Sequence, residues 1–331
     1  MRDLTLPKTR EESVILVTGG TGFVGRAVIG ELVAAGHMVR VLSRIAHPAT
    51  ESQVSFLQGD VTSPADLKRA INGCKAIFNC VGEKTDQRQM ARVNVLATQA
   101  LFSLSVDSNV NFFCQMSSVG TIGLTERRVV DESAPCNPMN LYEQTKLEGE
   151  QIVSKGLPGG KVVIVRPTNV FGAETLKAWI RDSVPATVKR FVKGRERAHL
   201  VYVKDVAAAV SYLFDNSPAI PVGTYIVSSD EEEGNTYREI QARLASAVAG
   251  APAPTAISAP ILVPHWIRRA RSGRSNRGDI IYSAKKLRDL GFQFPFGLER
   301  GLQESAVLLK ASAARPRPGR SDSPWLPPSW A

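Results

Sequence analysis

The sequence predicts an α/β fold, a doubly wound parallel sheet followed by a smaller C-terminal lobe. Short apolar, β-branched runs alternate with helical patterns through the first half of the chain. Strand–helix alternation over that distance builds a parallel sheet with helices on both faces. A glycine-rich turn joins the first run to the first helix, and no repeat of solenoid period interrupts the pattern.

The strands follow in order. "SVILVT" (13–18), "MVRVLS" (38–43), "VSFLQ" (54–58), "KAIFNCV" (75–81), "NFFCQMS" (111–117) and "KVVIVRP" (161–167) are short, β-branched or aromatic, and bounded by turn residues. Val24, Val28 and Leu32 recur at helical spacing after the first turn. Ser63 and Pro64 read as the cap and first residue of the next helix. After Gly172 the alternation fails, and "HLVYVKDVAAAVSYLF" (199–214) and "GTYIVSS" (223–229) read as a helix and strand returning to the sheet. The expected organisation is a tail over 1–12, a dinucleotide-binding domain over 13–172 rejoined by 199–229, and a lobe from 173–198 and 230–310. The Pro-, Ser- and Arg-rich residues 311–331 read as a disordered tail.

Composition narrows the partners. The 331 residues are 43% hydrophobic and 22% charged, as in soluble globular proteins. The formal net charge of +10 suits an anionic ligand or a solvated basic face. Without zinc-finger spacing or an aromatic RNA-binding signature, nucleic acid is not expected as a partner. Cys74, Cys80, Cys114 and Cys136 show neither metal-ligand spacing nor a disulfide framework, and Cys80 and Cys114 read as small buried hydrophobes. No metal is expected. The uncharged stretch 244–267 is long enough for a span, but Pro252, Pro254, Pro260 and Pro264 argue against stable membrane insertion. The N-terminus lacks an apolar signal core, so a cytoplasmic location is expected.

Gly19, Gly22 and Gly25 form G-x-x-G-x-x-G between a strand and a helix. Such a turn lets a pyrophosphate approach the backbone, and the helix N-terminus offers unpaired N–H groups to its charge. The second strand ends in Ser43 and Arg44, where a carboxylate would bind an adenosine ribose; Arg44 could pair with a 2′-phosphate and Ser43 donate to it. NADP is therefore preferred over NAD. Asp60 and Val61 follow the third strand, where an adenine edge would lie, although Asp60 also suits a turn. Residues 79–82, with Cys80, Val81 and Gly82, would form the cofactor floor.

Tyr142 and Lys146 stand four apart and share one face of a helix. A lysine ammonium near a phenol stabilises the phenolate, making tyrosine a candidate acid/base on a carbinol–carbonyl pair. Ser117 and Ser118 end the fifth strand, at the sheet edge where doubly wound folds bind ligands.

Over residues 13–305 the chain resembles the extended short-chain dehydrogenases/reductases, the NAD-dependent epimerase/dehydratase proteins with a Rossmann-type fold. The resemblance rests on "TGGTGFVG", "GDVT", "VNVLAT", "SSVGTIG", "YEQTK", "RPTNVFG", "VYVKDVA" and "YSAKKLRDLGF". It implies that Tyr142 exchanges a proton with substrate oxygen, Lys146 lowers the tyrosine pKa and holds the nicotinamide ribose, and Ser118 orients the substrate oxygen. It also implies that Thr21, Phe23, Val24, Asn94, Pro167 and Val170 join the cofactor site.

Many relatives act on nucleoside-diphosphate sugars, with arginines before the "VYVKDVA" and "YSAKKL" segments clasping the pyrophosphate. Arg195 or Arg197 and Arg274 or Arg277 occupy comparable places, and Asn169 matches an asparagine near bound substrate. Val119 and Gly120 follow Ser118, where dehydratases carry an Asp-Glu pair, so dehydration is disfavoured. The expectation is a 4-ketoreductase or 4-epimerase of a nucleotide sugar, a UDP-sugar first. A reductase of a non-nucleotide ketone and a non-catalytic scaffold are the alternatives. Many relatives also form homodimers through paired helices.

Overall fold

Why the first strand reads as an unbroken apolar run is answered by its place in the sheet. The structure, a computed structural model, describes residues 14–47, 53–180, 191–249 and 258–314. Strand β1 (Val14–Thr18) lies between two neighbours, and its residues 15–18 are buried. A strand covered on both faces has no polar side to alternate with.

The other strands are β2 (Met38–Ser43), β3 (Val54–Gln58), β4 (Cys74–Asn79), β5 (Phe112–Met116), β6 (Val129–Val130), β7 (Lys161–Pro167), β8 (Asn169–Phe171), β9 (Leu200–Tyr202), β10 (Gly223–Val227) and β11 (Ile281–Tyr282). Seven form one parallel sheet in the order β10-β7-β5-β4-β1-β2-β3. Chain order reverses across β1 and β4, and the crevice beyond their C-terminal ends is where open α/β sheets bind ligands.

The α-helices are α1 (Phe23–Ala34), α2 (Pro64–Ile71), α3 (Gln87–Met90), α4 (Ala97–Asp107), α5 (Leu141–Val153), α6 (Ala173–Ile180), α7 (Val203–Asp215), α8 (Tyr237–Ala249), α9 (Leu262–Ser272), α10 (Lys285–Asp289) and α11 (Gly297–Ala314). Alternate residues of β1 separate the two layers. Ile15 and Val17 pack with Val28 and Leu32 of α1 and Val206 and Val210 of α7. Leu16 packs on the other face with Leu67 of α2, Leu101 of α4 and Val153 of α5. Each such fully buried aliphatic side chain contributes about 1.5–3 kcal/mol. A third cluster of Phe171, Leu176, Leu200, Ile240, Leu298 and Leu302 builds the smaller lobe.

Two sequence expectations need correction. Residues 200–202, read into the 199–214 helix, form β9, which pairs with β8 in a separate two-stranded sheet, while α7 packs on the main sheet and β10 joins it. Helix α11 runs through Ala314, so the tail expected from 311 begins inside a helix; residues 1–13 and 315–331 lie outside the described residues. Of the uncharged stretch 244–267, residues 244–249 close α8 and 262–267 open α9, whereas Pro252 and Pro254 lie outside the described residues; Pro264 is buried in the first turn of α9, where a proline's missing N–H breaks no helical bond. No helix among the described residues is long and apolar enough to cross a membrane.

Candidate active site

The glycine turn is shaped by close backbone approach. Gly19 has φ of 68°, and a Cβ there would lie 2.7 Å from the Cys80 and Val81 backbone. A Cβ on Gly25 would overlap the Gly19 carbonyl. Gly22 caps α1 without a side-chain acceptor, leaving the first N–H groups of the helix without a side-chain cap. Glycines that bring β1, β4 and α1 together therefore also fit a pyrophosphate at the helix N-terminus. Thr21, Phe23 and Val24 flank the turn half-buried, and Phe23 and Val24 also pack against the smaller lobe's core.

At the end of β2, Ser43 is 5% exposed; its hydroxyl accepts from the Ile45 N–H and lies 3.1 Å from His47 Nε2. The Ser43 hydroxyl is thus engaged by local partners, and Arg44 and Ile45 are exposed at this edge. Asp60 accepts from the N–H and hydroxyl of Thr62, both at 2.8 Å. The Thr62 N–H holds the Asp60 carboxyl below its ordinary pKa against a partial burial, with help from the hydroxyl, Arg44 and Arg92. Val61 is half-buried beside it.

The floor differs in one respect from expectation. Asn79 is fully buried, accepting from Thr18 Oγ1 at 2.6 Å and donating to Thr98 Oγ1 and Gln115 Oε1. It ties β1, β4 and β5 beneath the floor, while Cys80, Val81 and Gly82 continue to the surface. All four cysteines are free. Cys114 is buried as expected, whereas Cys80 is only partly so; burial pushes the Cys80 thiol up to about 12, with Lys146 acting in the opposite direction.

Helix α5 opens at Asn140, whose side chain accepts from the Glu143 N–H at 3.0 Å. Glu143 reaches back to the Met139 N–H at 2.6 Å. This fixed start sets the rotation of α5 and places Tyr142 and Lys146 on its inner face. Lys146 is 5% exposed and donates from Nζ to the Met116 carbonyl at 2.6 Å. A Cβ on Gly82 would stand 3.6 Å from the same Nζ, so the ammonium bridges the ends of β4 and β5. Burial lowers its pKa to about 8 against the opposing fields of Glu150 and Cys80. Among the described residues its three donors have one acceptor, which fits a ribose bound above the floor.

Tyr142 is half-buried. Its pKa is raised by burial first and by Glu143 second. The expected lowering by Lys146 does not appear in the free protein, where the ammonium is drawn to Met116. Ser118 starts the short turn Val119–Thr121, accepting from the Gly120 N–H at 3.1 Å and keeping its own proton for another acceptor. Gly120 lies against Glu143, so this turn packs on the start of α5. Ser117 points elsewhere: it is buried and donates to Glu150, which Arg166 clasps through two bonds. Its expected contact with substrate is therefore corrected to a supporting one.

Asn94 sits in a π-helical turn, Ala91–Leu96, between α3 and α4. It accepts from the Glu83 N–H and donates to the Glu83 carbonyl and Thr145, fixing the loop after β4 to α5. Pro167 is buried and Val170 half-buried at the end of β7. Asn169 is exposed there and donates to the Ala198 carbonyl at 2.8 Å.

The arginines divide. Arg197 donates to the Asp230 carbonyl, and Arg277 pairs with Asp279 at 3.0 Å. Arg195 and Arg274 are exposed and form no ion pair among the described residues. Sequence reasoning missed Glu143, Glu150 and Arg166. For Glu150 the signal was available: it follows Lys146 by four and Tyr142 by eight, on the same helical face. No cluster of metal-binding side chains occurs among the described residues.

Comparison with known proteins identifies relatives of the chain and of its fold. The chain is 30% identical to a 4-hydroxy-2-methyl-3-oxo-4-farnesyl-3,4-dihydroquinoline-1-oxide ketoreductase of Stigmatella aurantiaca, over 48% of this chain and 50% of that protein. It is 28% identical to a UDP-glucose 4-epimerase of Lactobacillus helveticus, over 52% and 56% of the two chains. The chain thus spans about half the length of these curated relatives. The UDP-glucose 4-epimerase of Thermus thermophilus, solved in complex with NAD, shares the fold with a TM-score of 0.66 at 24% identity, over 90% of this chain and 99% of that one. The model of the NAD dependent epimerase/dehydratase family matches residues 15–227. The chain belongs to that family of NAD(P)-binding oxidoreductases and epimerases.

Proposed function

We propose that the chain catalyses hydride transfer at a carbinol or keto carbon, with NADP(H) as its dinucleotide and Tyr142 as the proton carrier. The observation that carries this reading is the buried ammonium of Lys146, held between Met116 and Gly82 on the Tyr142 face of α5. When bound, the nicotinamide supplies or takes the hydride. The glycine turn and α1 N-terminus hold the pyrophosphate, and Lys146 and Asn94 keep α5 and the floor in register. In reduction, Ser118 donates a hydrogen bond to the carbonyl oxygen, and Tyr142 transfers its phenolic proton to that oxygen. The Lys146 ammonium stabilises the phenolate left behind, which solvent reprotonates. No acid stands at 119 or 120 to assist loss of water.

Arg44 supports NADP. Its guanidinium lies close enough to Asp60 and Glu83 to depress both carboxyls, behind the backbone N–H bonds that act most strongly on each. In Arg44→Ala, affinity for NADPH is expected to fall about 10–100-fold, as for a lost hydrogen bond to a charged group, with NADH affinity nearly unchanged. Fluorescence titration with both cofactors checks this, and equal losses would remove the preference.

The substrate we propose is a nucleoside-diphosphate sugar, a UDP-sugar first, with Arg195 and Arg274 as the available pyrophosphate cations and Asn169 at the sugar. The similarity to a UDP-glucose 4-epimerase supports it. A second reading, reduction of a non-nucleotide ketone, is favoured by the commitment of Arg197 to Asp230 and of Arg277 to Asp279. The similarity to a ketoreductase points the same way. The double variant Arg195→Ala/Arg274→Ala separates them. A sugar nucleotide should lose about 10–100-fold in KM with little change in kcat, and calorimetry should show UDP binding to the unaltered protein. Absence of UDP binding, with an unchanged KM for a simple ketone, would select the second reading.

A further inference from the structure

Helix α9 turns its apolar side outward. Leu262 is 44% exposed, Val263 39%, Trp266 61% and Ile267 42%, and Ala270 is exposed with them. At 100° per residue these five fall within a sector of about 140°. Arg269 borders one edge and Arg271 the other, both exposed. The opposite side anchors the helix. Pro264 is buried, His265 Nδ1 lies 3.2 Å from the Asn276 carbonyl, and Arg268 binds Glu196 through bonds of 2.6 and 3.1 Å. An ordinary surface helix buries its apolar stripe and exposes its charges; α9 is held by its polar side.

We propose that α9 docks the protein reversibly on an anionic lipid surface, lying in the interface with Leu262, Val263, Trp266 and Ile267 against the acyl boundary. Charge complementarity selects this occupant. The helix "LVPHWIRRARS" contains no acidic residue, and arginines flank both edges of the apolar sector. Arg269, Arg271 and Arg274 form no ion pair among the described residues. That pairing of an apolar face with bordering cations, and an aromatic side chain suited to the headgroup level, is the pattern of interfacial helices. Phe191, 49% exposed, lies beside the segment entering the helix, where its carbonyl accepts from the Ala259 N–H. It extends the apolar patch. The net charge of +10 attracts the chain to such a surface from a distance, and α9 converts attraction into a fixed orientation.

Asn276, just after α9, accepts from the Thr125 N–H and donates to the Gly123 carbonyl. The docked helix is thereby tied to the segment 123–125 that continues from the turn after Ser118. The docking stands independently of which substrate is reduced.

Sedimentation of the full chain with vesicles of phosphatidylcholine alone, or mixed with phosphatidylglycerol, tests the proposal. The unaltered protein should pellet with the mixed vesicles at low salt. Trp266→Ser/Ile267→Ser should weaken binding at least about tenfold at every salt concentration, because the apolar contribution is lost. Arg269→Gln/Arg271→Gln should weaken it about fivefold per arginine at low salt and little at high salt. Trp266 emission should shift to the blue on binding, a change missing from the Trp266→Ser variant. All four altered side chains are exposed, so thermal unfolding should be unchanged. Failure of the unaltered protein to bind mixed vesicles would overturn the proposal. So would equal binding by Trp266→Ser/Ile267→Ser, which would reduce the attraction to general charge. A dimer that this variant dissolves, without vesicle binding, would instead assign the face to a second copy of the chain.

Discussion

Replacement of Tyr142 by Phe is expected to lower kcat by about 10²–10⁴-fold while the protein folds and binds NADPH as before. The substitution removes only the hydroxyl of a side chain whose ring is packed at the start of α5, and the cofactor-shaping residues lie elsewhere. Steady-state turnover of a keto substrate and a parallel NADPH titration measure the two effects separately. Full turnover by the variant would exclude Tyr142 as the proton carrier. The pH profile of the unaltered enzyme adds an independent readout. Burial and Glu143 hold Tyr142 protonated above its ordinary range, so the phenol is in its acid form throughout neutral pH. Lys146, lowered to about 8, is charged below that pH and neutral above it. Reduction measured as kcat/KM, which reports the free enzyme, should therefore be sustained below pH 8 and decline above it. A flat profile through pH 10 would show that the Lys146 charge does not assist.

Much of this site was legible because its parts are local in sequence. The G-x-x-G-x-x-G turn, the 142–146 spacing and the strand ends each depend on a few neighbouring residues, and β2, β3 and β7 have the predicted bounds. What escaped depends on contacts between distant segments. Whether an arginine faces a ligand or an aspartate is decided by side-chain packing, and so Arg197 and Arg277 found protein partners that composition could not reveal. Ser117 and Ser118 are adjacent, yet strand alternation sends them to opposite sides: one to Glu150 inside, the other to the turn at the surface. Asn79 looked like floor and is foundation, because its amide bridges β1 to β5 across residues far apart in the chain. Residues 200–202 read as the start of a helix but form strand β9, because pairing with β8, distant in the chain, decides their state.

Breaking the Glu150–Arg166 pair should cost much stability although it lies outside the apolar core. Both side chains are almost fully buried, at 5% and 6% exposure, with bonds from Arg166 Nε at 2.9 Å and Nη2 at 2.5 Å. Burial works against the guanidinium charge, and the bonds and field of Glu150 more than offset it, leaving the Arg166 pKa above its ordinary value. Glu150→Ala leaves a buried cation without its counter-charge and should cost about 3–5 kcal/mol in denaturant unfolding. The paired variant Glu150→Gln/Arg166→Met removes both charges and should recover most of that loss, since a buried ion pair itself adds little net stability. Ser117→Ala, which takes one donor from Glu150 and leaves both arginine bonds, should cost about 1 kcal/mol. The pair also acts on the chemistry. Glu150 is the largest influence holding the Lys146 pKa up against burial, so Glu150→Gln should move the alkaline decline of kcat/KM below pH 8. A destabilised variant with an unmoved decline would confine Glu150 to a structural role. A decline that shifts downward would make Glu150 a positioning residue for the lysine, acting on the reaction from beneath the sheet edge.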